Sequence, residues 1–120
     1  MDPQLLELAP LFERECTYII SAERLPTKVR FNLEGGYKFD LFYRSKTGGY
    51  SYTLFKGGQR IIGWDNAYHH EELENFPHHF HPEKGEPIPS SLTNIPRQDI
   101  VIVARKINEF LTERLFADER

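Results

Sequence analysis

Cysteine occurs once in this chain, at Cys16. An intramolecular disulfide and a cysteine-cluster zinc site are both excluded, and a reducing cytoplasm is the expected setting. No base stands beside Cys16 in the sequence, so it does not read as a nucleophile. No apolar run approaches the roughly 20 residues that span a bilayer, and no membrane association is expected. The chain starts on an acidic, proline-containing segment, without the basic region and apolar core of a secretory leader. Low-complexity stretches are missing. So is a large excess of one charge: the net value is −3, with a pI near 5.9, which argues against a uniformly basic nucleic-acid coat. What remains is 120 residues with 39% apolar content, nine Phe and six Tyr. That is one globular domain's worth of sequence, and residues 1–120 are expected to form a single domain.

The small net charge hides a segregation. Residues 1–23 carry five acids and one base, and residues 24–60 carry two acids (Glu34, Asp40) and eight bases. Residues 61–95 then hold six acids and one base, and the remainder balances. All five histidines lie between His69 and His81.

Hydrophobic spacing sets the expected elements. Leu5, Leu8, Leu11 and Phe12 recur at helical intervals, and Asp2-Pro3 suits a cap followed by a first helical position, so a helix is expected over roughly Pro3 to Cys16. Pro10 removes one internal hydrogen bond and predicts a kink or two short pieces. Thr17 to Ile20 can continue helix or begin a strand. From Val29 the period becomes two, through Val29–Leu33, Tyr37–Arg44, Tyr50–Phe55 and Arg60–Trp64. Gly-Gly pairs interrupt these runs at 35–36, 48–49 and 57–58, which indicates an antiparallel meander of about four strands. Residues 65–95 have little periodicity and read as an ordered loop, with a short helix around Glu71 to Asn75. Ile100, Val103, Ala104, Ile107, Phe110, Leu111 and Leu115 mark an amphipathic helix from about Arg97 to Phe116. The expected class is α+β, with the N- and C-terminal helices packed on one face of the sheet.

Two regions carry candidate chemistry. Arg30, Lys38 and Arg44 fall on the polar phase of their strands, and Lys46, Lys56 and Arg60 lie at or near turns. Together they can meet a phosphate backbone, with exposed aromatics stacking single-stranded bases. Lys and Arg also commonly solvate the outer side of a sheet, where Tyr and Phe simply pack. The segment from Trp64 to Pro89 reads WDNAYHHEELENFPHHFHPEKGEPIP. Histidine moves protons near neutral pH, and a carboxylate can orient its ring. On an extended segment His79 and His81 share a face, and Asp65 or His69 can complete an acid–base centre; His70 is a further candidate. The same groups can bind zinc or manganese, although the spacing fits no HExxH-type motif. Polar loop packing and a partner-binding surface are the other uses open to these residues. A hydrolytic mechanism follows if one imidazole activates a ribose hydroxyl or a water, a second protonates the leaving oxygen, and a cation offsets phosphate charge.

Trp64, Asp65, Asn66, Ala67, His69 and His70, then Phe76, Pro77, His78, His79 and His81, followed by Pro87, Pro89 and Ser90 and a terminal helix, form an ordered pattern. In this the chain resembles, over about residues 28–112, the TumE-like family of small toxins from bacterial and archaeal toxin–antitoxin operons. The resemblance implies growth restraint and a cognate antitoxin, commonly encoded beside the toxin and carrying a helix-turn-helix domain. It implies no particular catalytic mechanism. Three readings follow: a toxin acting on RNA through histidine acid–base chemistry with no cofactor, a non-enzymatic protein- or RNA-binding module, and a divalent-metal-dependent phosphodiester hydrolase.

Overall fold

A computed structural model describes residues 1–117. Helix α1 (Pro3–Glu15) leads into strands β1 (Ile19–Arg24), β2 (Lys28–Leu33), β3 (Tyr37–Arg44), β4 (Gly49–Lys56) and β5 (Gln59–Asp65). Two short strands follow, β6 (His79–His81) and β7 (Ile88–Pro89), before helix α2 (Pro96–Leu115). All seven strands join one antiparallel sheet in sequence order.

The α+β arrangement with terminal helices against the sheet is as the sequence implies, but the sheet has seven strands and not about four. β1 escapes the periodicity argument because it is an edge strand, with five of its six residues exposed. No buried side alternates with a solvated one. β6 and β7 have three and two residues, too few to display a period; β6 forms on the edge of β5, and β7 on the edge of β6. The short helix expected at Glu71 to Asn75 is absent: that stretch is a run of turns. α1 runs unbroken through Pro10. The lost hydrogen bond is offset by packing, since Leu5, Leu8 and Phe12 are completely buried on one side of the helix. Asp2 caps α1 by accepting from the Gln4 amide and also receives the Ser45 amide and hydroxyl, which fixes the helix start to the β3–β4 turn.

The strands separate two environments by alternation. Val29, Phe31, Leu33, Phe39, Leu41, Tyr50, Tyr52, Leu54, Ile62 and Trp64 point toward the helices and are buried. Phe12 stacks on Phe39 with ring centroids 4.3 Å apart and tilts against Phe31 at 4.7 Å. From α2, Ile100, Val103, Ala104, Ile107 and Leu111 complete this core. The Gly-Gly pairs form the turns, and Gly35 is held there by its backbone conformation. Gly35 has φ +74°, which side-chain-bearing residues rarely adopt, and a Cβ there would also press on the Leu115 side chain at 2.5 Å, so the β2–β3 turn approaches the end of α2 at a glycine.

Among the described residues no helix lies over the opposite side of the sheet, and strand register orders its residues into rungs. One rung joins Lys28, Phe42, Ser51, Asp65 and His79. The next joins Arg30, Asp40, Thr53, Gly63 and His81. A third holds Asn32, Lys38, Phe55 and Arg60.

Candidate metal centre and open sheet face

β5 ends at Asp65, the chain leaves for thirteen residues, and it returns antiparallel as β6. This pairing sets Asp65 opposite His79 and Gly63 opposite His81. Because strand side chains alternate, His79 and His81 share the open face while Phe80 turns inward against Trp64, with ring centroids 5.0 Å apart. The Asp65 carboxylate lies between the two imidazoles. Oδ1 is 2.9 Å from Nε2 of His79, and Oδ2 is 2.9 Å from Nε2 of His81. The three donor groups lie within 4.8 Å of one another.

The surrounding hydrogen bonds set the chemistry of this cluster. Asp65 Oδ1 also accepts from the Ala67 amide. Nδ1 of His79 lies 3.1 Å from the Pro77 carbonyl oxygen. A carbonyl has no proton to give, so Nδ1 is the donor, and in the neutral ring Nε2 bears the lone pair. That lone pair faces a carboxylate oxygen, an arrangement stabilised only by a positive species between them, either a second proton or a cation. Anchoring one ring nitrogen on a backbone carbonyl while the other faces inward is how proteins orient metal-ligating histidines. Burial pushes the His81 imidazole below its usual range, and nearby Arg60 adds to this; the Asp65 contact opposes both without reversing them. This shift favours the neutral imidazole, the form that can ligate a metal. Two imidazoles and one carboxylate form a donor set that suits zinc, manganese or iron and leaves coordination positions open.

The loop between β5 and β6 is held at several points. Asn66 accepts from the Tyr50 amide and donates to the Gly48 carbonyl, joining the loop's start to the β3–β4 turn. Asn75, at φ +62°, donates to the Ser90 and Leu92 carbonyls. The Phe76–Pro77 peptide is cis. His78 points to the core side, where its Nδ1 meets the Tyr50 hydroxyl at 2.7 Å; burial lowers its pKa and raises that of Tyr50. After the loop, buried Asp99 accepts from the Thr93 amide and hydroxyl and from the Asn94 amide, closing the start of α2.

The residues singled out in the sequence meet different fates. Asp65, His79 and His81 converge. His70 approaches edge-on, its ring centroid 5.4 Å from that of His79, with Glu72 3.5 Å from its Nδ1. His69 is exposed and touches only the His70 ring among these groups, at 6.3 Å. Cys16 is buried, and burial pushes its thiol pKa up.

Arg30, Lys38 and Arg60 share the open face on neighbouring rungs, while Lys56 lies on the helix side and Arg44 and Lys46 at a turn. Arg30 holds both oxygens of Asp40 and lies over the Phe55 ring, and Lys28 shares the same carboxylate at 2.7 Å. Lys56 leans over Tyr37 on the helix side. Arg44 and Lys46 are exposed at the β3–β4 turn, and Lys38 stands on the third rung. Arg60 is exposed, and its stem would lie 3.4 Å from a Cβ at Gly63, directly opposite His81.

Sequence reasoning missed Asp40, Asn66, Asn75 and Asp99 as organising residues. For Asp40 the signal was present: a lone acid on the same strand phase as Lys38, across from two bases.

Among the described residues no helix is long and apolar enough to cross a membrane. Neither the curated proteins nor the solved structures give a significant match. The family model for Toxin TumE does match, over residues 4–115, from the first turn of α1 to the last residue of α2 and through both histidine runs, and the chain belongs to the TumE toxin family.

Proposed function

We propose that this chain is a toxin that hydrolyses phosphodiester bonds of RNA with the aid of a divalent cation held by Asp65, His79 and His81. The observation that carries this reading is the convergence of one carboxylate and two Nε2 atoms on the open face, with His79 already anchored through its other nitrogen. A cation bound there would polarise a phosphoryl oxygen and lower the pKa of a bound water. The chain's own groups would do the rest. Asp65 spans both imidazoles and holds their spacing. Arg60 stands beside His81 to bind the phosphate and offset its growing charge. His70, edge-on to His79, would pass a proton to the leaving oxygen as the P–O bond breaks. Membership of a toxin family implies an antitoxin partner. We take that partner to be a helix-turn-helix protein encoded next to the toxin, and the site of action to be the cytoplasm.

Equilibrium dialysis against Mn2+ or Zn2+ and then elemental analysis should leave about one ion per chain, and EDTA should abolish RNA cleavage. Asp65→Asn should lose both ion and activity, by at least about a hundredfold in kcat, with the fold retained by circular dichroism. Absence of retained ion together with EDTA-resistant cleavage would sink the reading.

A second reading rests on the hydrogen bond between His81 Nε2 and Asp65 Oδ2. That dyad can act as an acid–base pair with no metal, and EDTA-resistant cleavage that still needs His81 is its signature.

A further inference from the structure

Next to the Asp65, His79 and His81 cluster lies a cavity that the proposed hydrolysis leaves unused. Its volume is about 580 Å3, and it opens at the end of the sheet where β5 stops and β6 begins. Its walls include Phe42, Tyr50, Asn66, Tyr68, His78 and Asn94. Asn66 and His78 directly adjoin Asp65 and His79 in the chain, so cavity and cluster share the same two strand ends.

Phe42 connects them. It stands on the open face in the rung of Asp65, with Ser51 between them. Two inter-strand spacings separate β3 from β5, about 10 Å. Everything between is small: Ser51 and Thr53 on β4, then Gly63 on β5. Ser51 and Thr53 floor a second depression of about 330 Å3, lined also by Thr27, Lys28, Asp40 and Phe42, and Gly63 carries the path on toward Arg60 and His81. The Phe42 ring is the wall common to both. A half-buried ring stands at one end, a floor without bulk lies in the middle, and a carboxylate–imidazole cluster with Arg60 closes the other end.

We infer that the cavity beside Phe42 is a nucleobase subsite, which holds one unpaired base of a single-stranded nucleic acid while its backbone crosses Ser51, Thr53 and Gly63 toward the cluster. The chemistry fits a base better than a peptide or an aliphatic ligand. The planar aromatic wall offers a stacking surface, Tyr68 is 79% exposed at the rim, and the exposed Asn94 amide can both donate to and accept from a base edge. The inner wall is not open to hydrogen bonding in the same way, because the Asn66 amide and the Tyr50 hydroxyl are already engaged with the chain. Shape and stacking would therefore dominate over readout of every base edge. A double helix keeps its bases inside, so the subsite selects unpaired strands.

This inference rests on the reading of the chain as an enzyme of nucleic acid, and it is tested so that the two can fail separately. Fluorescein-labelled single-stranded RNA decamers are titrated in EDTA, where hydrolysis by the proposed mechanism is silent and only binding is read. A matching set carries a single abasic position, moved along the strand. The full-length protein should bind the intact decamer about tenfold to a hundredfold more tightly than the decamer abasic at one particular position, the worth of one stacked base. Phe42→Ala should erase that difference, and Phe42→Tyr should restore it. Tyr68→Ala, a change at an exposed loop position, should weaken the same abasic preference without affecting the fold. With metal restored, the sensitive position should adjoin the cut.

Equal binding of all abasic decamers would overturn the subsite, and so would an abasic preference that survives Phe42→Ala. Base-dependent binding without any cleavage in metal would uphold the subsite and reject the hydrolase.

Discussion

One sheet in this molecule serves two solvents. On the helix side Phe31, Phe39, Tyr52 and Trp64 are packed against Phe12 and α2. One residue along the same strands, Arg30, Asp40, Thr53 and Asp65 face outward on rungs shared with His79 and His81. The inner side gains its free energy from area withdrawn from water and from close packing. The outer side arranges charge, where distance and direction matter more than area. Strand alternation keeps the two jobs apart at a distance of one residue, so a substitution on one side should leave the other's property largely intact.

The largest test of that separation is Phe39→Ala. Removing a completely buried ring stacked on Phe12 should cost about 3–5 kcal/mol, seen as a lower urea midpoint, while the folded fraction still retains a dialysed ion. Parallel loss of ion binding from folded protein would break the comparison. Next is His81→Ala on the outer side. Ion retention should fall by at least about a hundredfold, more than for loss of an outer-shell partner, with the urea midpoint barely moved; a large fall in stability would show that the cluster is structural. The smallest effect concerns acid. Burial alone would raise the Asp40 carboxyl, but hydrogen bonds from Arg30 and Lys28 outweigh it and hold its pKa below the ordinary value. A carboxylate depressed in the folded state stabilises fully above its unfolded pKa near 4, and that contribution is lost as pH falls through the folded value. Asp40→Asn should therefore flatten the acid limb of stability below about pH 4 and cost ~1 kcal/mol or less at pH 7. An unchanged acid limb would remove Asp40 from the account.

The sequence made the inner side legible because burial writes a period. Val29, Phe31 and Leu33 alternate, the Gly-Gly pairs mark the turns, and α2 repeats its apolar residues at helical spacing. β1 wrote nothing, because an exposed edge strand imposes no pattern on its side chains. The candidate site was half legible. His79 and His81 at two-residue spacing imply a shared face, and Asp65 was a candidate partner. Its actual position between them depends on the β5–β6 register, a contact fourteen residues apart in sequence that no local pattern encodes. The basic segment was legible as composition but not as pairing: Arg30, Lys38 and Arg60 share the open face, Asp40 holds Arg30 and Lys28, and Lys56 lies toward the helices.

The two residues of β7 deserve a mechanical reading. Ile88 and Pro89 pair with Phe80 and His79, so β6 is flanked on both sides and is not the sheet's border. A border strand frays, and a fraying β6 would blur the separation between two imidazoles and a carboxylate that have to hold to a fraction of an ångström. Pro89 has no amide hydrogen with which to recruit another strand. The fold thus spends its last and shortest strand as a selvedge: a finished edge that stops the weave and leaves the threads just inside it under even tension.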